Sequence, residues 1–290
     1  MKTYEITNNK ITVYDLSQFN IEHILECGQT FLYEKHNEYY EVVSGSEMAR
    51  IFSYTNKVEI FCTNENYFEN YFDLKTNYNE IKKDLQFDDT MKKATIYGYG
   101  MRILRQHKLE TLIGFIISAN NNIKRIQKTM FSLCKKFGTK IEHNIGTYYT
   151  FPTLKELSKI TKEEFLELGA GYRADYLVKT IKYLNENSFN LEKLEQLNTE
   201  ELNKFLVSLY GIGQKVADCI LLFAYSRTDV VPVDTWVDKI YNKYYGEENN
   251  KKNRSEIRKE FLNYFKKLSG YAQQYLFYYE RDKSKNQKSI

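Results

Sequence analysis

Between residues 30 and 63 the chain alternates. Thr30–Glu34, Tyr39–Ser44, Met48–Tyr54 and Val58–Cys62 are runs rich in β-branched and aromatic residues, and His36-Asn37, Ser44-Gly45-Ser46 and Thr55-Asn56 separate them as turns. This pattern predicts an antiparallel meander. From about residue 65 the apolar positions recur at helical spacing instead. Met101–Ser118 and Ile123–Phe137 read as helices, the second carrying Ile123, Ile126, Met130, Leu133 and Phe137 along one face, with Gly138 where a C′ glycine belongs. Asn120-Asn121-Asn122 between them predicts a tight junction, because asparagine tolerates left-handed backbone and caps helices. Thr153-x-x-Glu156, Thr161-x-x-Glu164 and Asn198-x-x-Glu201 are helix starts of the capping-box kind. The expected architecture is α+β, with an antiparallel domain over 1–95 and a helical region over 96–290. The polar tail Arg281–Ile290 is expected to fray.

Composition narrows the class. With 290 residues, 42% of them apolar, and two prolines, the chain is long enough for a sizeable core and is not a disordered or proline-rich polymer. No stretch has the roughly 18 apolar residues of a membrane span, and Met1–Glu5 lacks the apolar run of a secretory signal. A soluble, intracellular protein is expected. Cys27, Cys62, Cys134 and Cys219 lie too far apart for a zinc or iron–sulfur spacing and read as reduced thiols. The net charge of +4 conceals a block: residues 91–140 carry eleven lysines and arginines against Glu110 alone. Such a block is the footprint of a polyanion partner, nucleic acid first, or else a solvated helix face.

The segment Leu209-Tyr210-Gly211-Ile212-Gly213-Gln214-Lys215-Val216-Ala217-Asp218-Cys219-Ile220 carries the most chemistry. It lies between a predicted helix from about Glu200 and another through Tyr225, a helix pair over about 200–225. Two glycines one residue apart allow a sharp turn that bares backbone N–H groups at a helix N-terminus, which suits one phosphate. Val230–Trp236 follows, with Asp234 opening a further helical pattern through Tyr245. Taken singly, Lys215 is a surface lysine and Asp234 a plain N-cap. Taken together, the glycine turn, the lysine and the capping aspartate resemble the helix-hairpin-helix DNA glycosylase superfamily. In that superfamily the lysine attacks C1′ of the target nucleotide, and the aspartate supports its activation and the developing sugar cation. A free lysine amine is protonated near neutrality, its reference pKa being about 10.4, so the site must lower that pKa by burial or take up the proton. A carboxylate nearby stabilises an oxocarbenium-like sugar. The resulting imine permits β-elimination, so Lys215 implies glycosylase plus lyase activity.

Four more segments are similar to the 8-oxoguanine DNA glycosylase/AP lyase family: Cys27–Phe31, Phe115–Ile123, Gly169–Ala174 and Gly270–Phe277. The resemblance spans about residues 25–280. It implies that the N-terminal sheet is TATA-binding-protein-like and packs on two helical domains. It implies excision of 8-oxoguanine from duplex DNA, the damaged base being flipped into a pocket. There the Gly28 carbonyl would accept the N7 hydrogen, Gln273 would read the Watson–Crick edge, and Phe277 and Cys219 would sandwich the ring. Asn120 would fill the gap in the duplex with Tyr172 beside it, while Arg125 and Arg173 would contact the estranged cytosine. The N–H groups of Gly211, Gly213 and Val216 would grip phosphate. No metal or organic cofactor is required, although hairpin carbonyls could hold a structural cation.

Two positions depart from the animal and fungal pattern: Trp236 stands where a histidine follows the aspartate, and Glu280 where an aspartate is expected. The histidine's phosphate contact is therefore not implied here. The short chain suits a prokaryotic cytoplasmic enzyme working on the nucleoid as a monomer. Two other readings stay open at this stage. One is a glycosylase for another damaged base, against which stand the lack of cysteines after Cys219 and the presence of Lys215. The other is a non-catalytic DNA-binding protein that keeps the hairpin as scaffold.

Overall fold

The computed structural model describes residues 3–247 and 250–286. Six antiparallel strands open the chain: β1 (Tyr4–Thr7), β2 (Lys10–Val13), β3 (Tyr33–Lys35), β4 (Tyr39–Ser44), β5 (Glu47–Ser53) and β6 (Val58–Cys62). They lie in the order β1-β2-β6-β5-β4-β3. Register explains why the alternating residues pair: Ile60 stands between Ile11 and Ile51, which in turn faces Tyr40, and all four are buried. The short helices α1 (Ile21–Glu26) and α2 (Glu65–Tyr71) cover this face with Ile24, Leu25, Phe68 and Tyr71. The meander is therefore present, with β3 beginning three residues later than the alternation suggests. The β1–β2 hairpin was not legible, because each strand is four residues long and β1 is half solvent-facing.

The helical body follows as α3 (Tyr78–Leu85), α4 (Asp89–Tyr97), α5 (Lys108–Ser118) and α6 (Ile123–Phe137). A hairpin of β7 (Lys140–His143) and β8 (Gly146–Tyr149) leads into α7 (Leu154–Leu157), α8 (Lys162–Glu167) and α9 (Arg173–Glu186). Then come α10 (Thr199–Ser208), α11 (Gln214–Tyr225), α12 (Thr235–Tyr244), α13 (Arg254–Phe265) and α14 (Ser269–Asn286). The largest core surrounds α5, packed by residues of α6, α9, α10 and α11. Another joins the two ends of the chain, where Leu85, Met91 and Ala94 meet Val237, Ile240, Phe261 and Tyr275.

Three expectations need correction. The helix expected from Met101 begins only at Lys108. Met101–His107 is instead a buried extended segment whose apolar positions satisfy three neighbours at once, with Arg105 N–H donating to the Tyr71 carbonyl and Gln106 N–H to that of Phe223. Gly138 ends α6 without left-handed backbone, at φ −83°. Glycine is needed there for closeness, since a Cβ would collide with the Thr150 carbonyl of the strand returning beside it. Lastly, Arg281–Asn286 continue α14 as regular helix, Arg281 being only 7% exposed; the last four residues of the expected tail lie outside the described residues.

Glu110 is the buried titratable group with the clearest thermodynamic consequence. It sits within α5, and its Oε2 accepts the Gly45 N–H at 2.8 Å. Burial pushes its carboxyl up to about 8 from the ordinary 4.5. The folded state thus holds a proton that the unfolded chain releases, and the associated stability is fully present below about pH 4.5 and lost as pH rises through about 8. Glu110→Gln keeps the acceptor and removes the titration. The variant should melt with a smaller difference between pH 6 and pH 9 than the parent, chiefly through a higher midpoint at pH 9.

Candidate active site

The hairpin is built as its glycines require. Between α10 and α11, Gly211 takes φ +78°, and a Cβ there would stand 2.7 Å from the Tyr176 side chain. Gly213 caps α11 with nothing within 4 Å of where a Cβ would stand, so the start of the helix is open on that side. The two glycines therefore respond differently to substitution. Gly211→Ala should cost about 1–3 kcal/mol through strain and collision. Gly213→Ala should leave the thermal midpoint nearly unchanged yet weaken duplex binding, as read by melting and fluorescence anisotropy.

Lys215 lies in the first turn of α11, half-buried, with its ammonium 5.5 Å from the centre of the Phe115 ring. One turn on, Cys219 is buried. Burial pushes the Cys219 thiol up to about 11; the Lys215 charge opposes this and the Asp234 charge adds to it. The lysine and the aspartate thus act on the same buried atom from different helices. Asp234 is the N-cap of α12, and its Oδ1 accepts the N–H groups of Trp236 and Val237, both at 2.9 Å. That double bond to backbone fixes the carboxylate's direction, and among the described residues Oδ2 accepts no hydrogen bond.

Behind Lys215 lies an ion pair that sequence reading missed. Asp218 has no side-chain exposure and meets Arg258 of α13 through two hydrogen bonds, 2.6 Å from Nε and 2.9 Å from Nη2. Gln214 adds a third at 3.0 Å. A cleft of about 760 Å³ opens alongside, with Gly213, Lys215 and Val216 on one wall and Arg254, Arg258 and Lys259 on the other. Its positive lining and the bare helix end suit a phosphate.

Of the base-pocket candidates, Gly28, Gln273 and Phe277 come together. Gln273 and Phe277 lie one turn apart on α14, and a Cβ on Gly28 would stand 3.4 Å from the Phe277 ring. Gly28 has φ +86°, and its turn is braced: Gln274 donates to the Cys27 carbonyl at 3.0 Å, and the buried Gln29 holds the backbone of Ile24, Arg102 and Leu104. Gln273 is 6% exposed, yet its Oε1 has no hydrogen-bond partner, an unmet acceptor where a partner is needed. Arg281 has two such unmet donors, Nε and Nη1, on the same helix face.

The asparagine junction is a second cluster. Asn120 is exposed with φ +49°, as its residue type allows, and Asn122 caps α6 by accepting Arg125 N–H at 3.0 Å. Arg173 is buried and donates from Nε and Nη2 to the carbonyls of Ala119 and Asn120, at 2.6 and 2.8 Å, and from Nη1 to Ala170 at 3.2 Å. These bonds hold the loop and use three of the five guanidinium N–H groups. Exposed Tyr172 stacks under the Arg173 guanidinium at 4.5 Å. The basic block is not one face. Arg102 is buried, and Arg105, Lys108, Lys136 and Lys140 are paired with acids, while Lys124, Arg125 and Lys128 of α6 are exposed. Trp236 lies beneath Lys239 at 5.3 Å, and Glu280 is engaged by Lys243 and Tyr244 rather than by residue 236.

A glycine-turned helix pair with a lysine in its second helix, followed by a helix capped by an aspartate, agrees with the match of residues 113–267 to the HhH-GPD superfamily base excision DNA repair protein. Residues 11–112 match the 8-oxoguanine DNA glycosylase N-terminal domain. The chain is 30% identical to the N-glycosylase/DNA lyase of Saccharomyces cerevisiae, over 84% of its own length and 73% of the yeast protein. It is 27% identical to a probable N-glycosylase/DNA lyase of Methanothermobacter thermautotrophicus, over 72% of each. The 8-oxoguanine glycosylase/lyase of Clostridium acetobutylicum, crystallised with duplex DNA containing cytosine opposite 8-oxoG, superposes with a TM-score of 0.90 at 37% identity, covering 98% of this chain and 99% of that one. The chain belongs to the 8-oxoguanine DNA glycosylase family.

Proposed function

We propose that this protein excises 8-oxoguanine from duplex DNA and then cleaves the abasic strand, with Lys215 as nucleophile and Asp234 as its electrostatic partner. The observation that carries the reading is that Lys215 stands in the first turn of the glycine-turned helix α11 and Asp234 caps α12, with both charges bearing on the buried Cys219 thiol. Lys215 Nζ attacks C1′ as the neutral amine, the bond from C1′ to N9 breaks, and the base leaves with the electron pair and takes up the proton that Nζ sheds on bonding C1′. Asp234 stabilises the positive charge that grows on the sugar, with a carboxylate already oriented by two backbone N–H groups. The aminal opens to an imine between Nζ and C1′. Loss of a C2′ proton then expels the 3′ phosphate.

Recognition divides between two clusters. Gln273 Oε1 would accept from the Watson–Crick edge, the Gly28 carbonyl from N7–H, and Phe277 with Cys219 would enclose the ring. The N7–H bond is worth a few kcal/mol of discrimination at most. Asn120, Arg125, Tyr172 and Arg173 would occupy the space opposite and read the estranged cytosine. The N–H groups of Gly211, Gly213 and Val216 would grip one phosphate. No metal or organic cofactor enters this scheme. A structural cation would sit on hairpin carbonyls, of which that of Tyr210 already accepts the Thr180 hydroxyl at 2.9 Å and has one lone pair left. We place the protein in a prokaryotic cytoplasm, acting as a monomer on the nucleoid; no helix among the described residues is long and apolar enough to cross a membrane.

Borohydride trapping on a labelled duplex with one 8-oxoguanine tests the reading. A reduced imine leaves a covalent complex, and its yield should be highest with cytosine opposite. Binding without trapping would remove the lyase step, and equal yields for all four opposing bases would remove the cytosine-reading function assigned to Arg125 and Arg173.

A further inference from the structure

We infer that Arg281 is a specificity-determining residue of the base pocket that donates a hydrogen bond to O8 of the flipped 8-oxoguanine; the inference rests on the function proposed above. Arg281 is 7% exposed, and its Nε and Nη1 have no partner. A buried guanidinium with two unmet donors costs free energy unless something completes it. Its position says what. Nη2 donates to the Glu26 carbonyl, which ties the side chain to the turn carrying Gly28. Nη1 lies 2.7 Å from where a Gly28 Cβ would stand, so any residue larger than glycine at position 28 would displace it. The guanidinium stands 5.1 Å from the centre of the Phe277 ring.

Helix geometry selects the atom. Gln273, Phe277 and Arg281 are spaced four apart on α14, so they form one row, rising about 6 Å per step. A purine stacked on Phe277 with its Watson–Crick edge toward Gln273 turns its imidazole edge toward Arg281. That edge holds N7–H, which the Gly28 carbonyl takes, and next to it O8. Guanine has a C8–H there, which offers nothing to an N–H donor. Arg281 and Gly28 would thus form a matched pair, one donor and one acceptor, for the two atoms that oxidation changes. A charge-assisted hydrogen bond of this kind corresponds to about tenfold or more in affinity.

The test compares wild type, Arg281→Met and Arg281→Lys in single-turnover excision from an 8-oxoguanine:cytosine duplex and in cleavage of a duplex with a preformed abasic site. The abasic substrate has no base to read, so it reports fold and nucleophile alone. Arg281→Met should excise the base about tenfold or more slowly while cleaving the abasic strand at the wild-type rate. In a Lys215→Gln background, it should also narrow the ratio of dissociation constants between guanine and 8-oxoguanine duplexes by a similar factor. Unchanged or faster excision would overturn the inference, leaving Arg281 a mere cover on Phe277. If Arg281→Met loses both activities together, Arg281→Lys decides: normal abasic cleavage with slowed excision supports the inference, and equal loss overturns it as a structural effect. Wild type that leaves 8-oxoguanine uncut would overturn the proposed function itself, and this inference with it.

Discussion

Replacing Lys215 by Gln should abolish the borohydride-trapped complex and slow base release by at least about a thousandfold, some 4 kcal/mol of barrier. Glutamine keeps most of the side-chain length without the charge, but its amide nitrogen cannot attack C1′ or form an imine. Duplex binding should persist, because the phosphate contacts expected of Gly211, Gly213 and Val216 come from backbone. Trapping yield, single-turnover excision and anisotropy on one duplex separate these effects. A Lys215→Gln protein that still traps would assign the imine to another lysine. The Cys219 thiol offers an internal check, since Lys215 is among the groups that lower it: removing the ammonium should raise the thiol further and slow its alkylation.

The largest expected loss of stability lies one turn further along the same helix. Burial pushes the Asp218 carboxyl up, and Arg258 counters this with two hydrogen bonds. Arg258→Met would leave the carboxylate buried beside only amides, Gln214 at 3.0 Å and Asn203 at 3.5 Å, and should destabilise the fold by about 3–5 kcal/mol. Asp218→Asn combined with Arg258→Met should recover much of that loss, because the cost comes from the stranded charge rather than from the missing pair. Denaturant unfolding of the two single variants and the double one measures the coupling. Additive losses would mean that the pair adds nothing beyond its separate contacts. Because Asp218 follows Lys215 by three residues, the single variant should also loosen the helix end that presents the nucleophile.

What could be read in advance follows the physics of each signal. The meander strands and α6 were legible because alternation and helical period are local, and Asn122 could be recognised as a cap from its residue type. Met101–His107 misled because a segment buried on several sides repeats apolar residues without being helical. The site was legible where chemistry constrains residue type within a few positions, as in the glycine turn with Lys215 and Asp234. It was opaque where function depends on distant partners. Arg258 lies 40 residues from Asp218, and nothing near it in sequence announces the pair. Arg281 sits among Glu280, Asp282 and Lys283, a polar run that suggests fraying, and its burial depends on Gly28 and Glu26 from the other end of the chain. Arg173 was singled out by resemblance alone, and its grip on the Ala119 and Asn120 carbonyls needed the fold to be seen.

The core that joins the two chain ends has a consequence for how such enzymes diversify. Lys215 and Asp234 belong to the span that matches the repair superfamily, residues 113–267, whereas Gly28 precedes it and Gln273, Phe277 and Arg281 follow it. On the function proposed above, the nucleophile and its carboxylate partner fall in the middle of the chain and the proposed base pocket, Cys219 excepted, in its flanks, which meet where Leu85, Met91 and Ala94 pack on the C-terminal helices. Substitutions in either flank can retune which base is accepted without touching the reaction. Deleting α14, by contrast, would take Ala272, Tyr275 and Leu276 out of that shared core and so unsettle the fold together with the pocket.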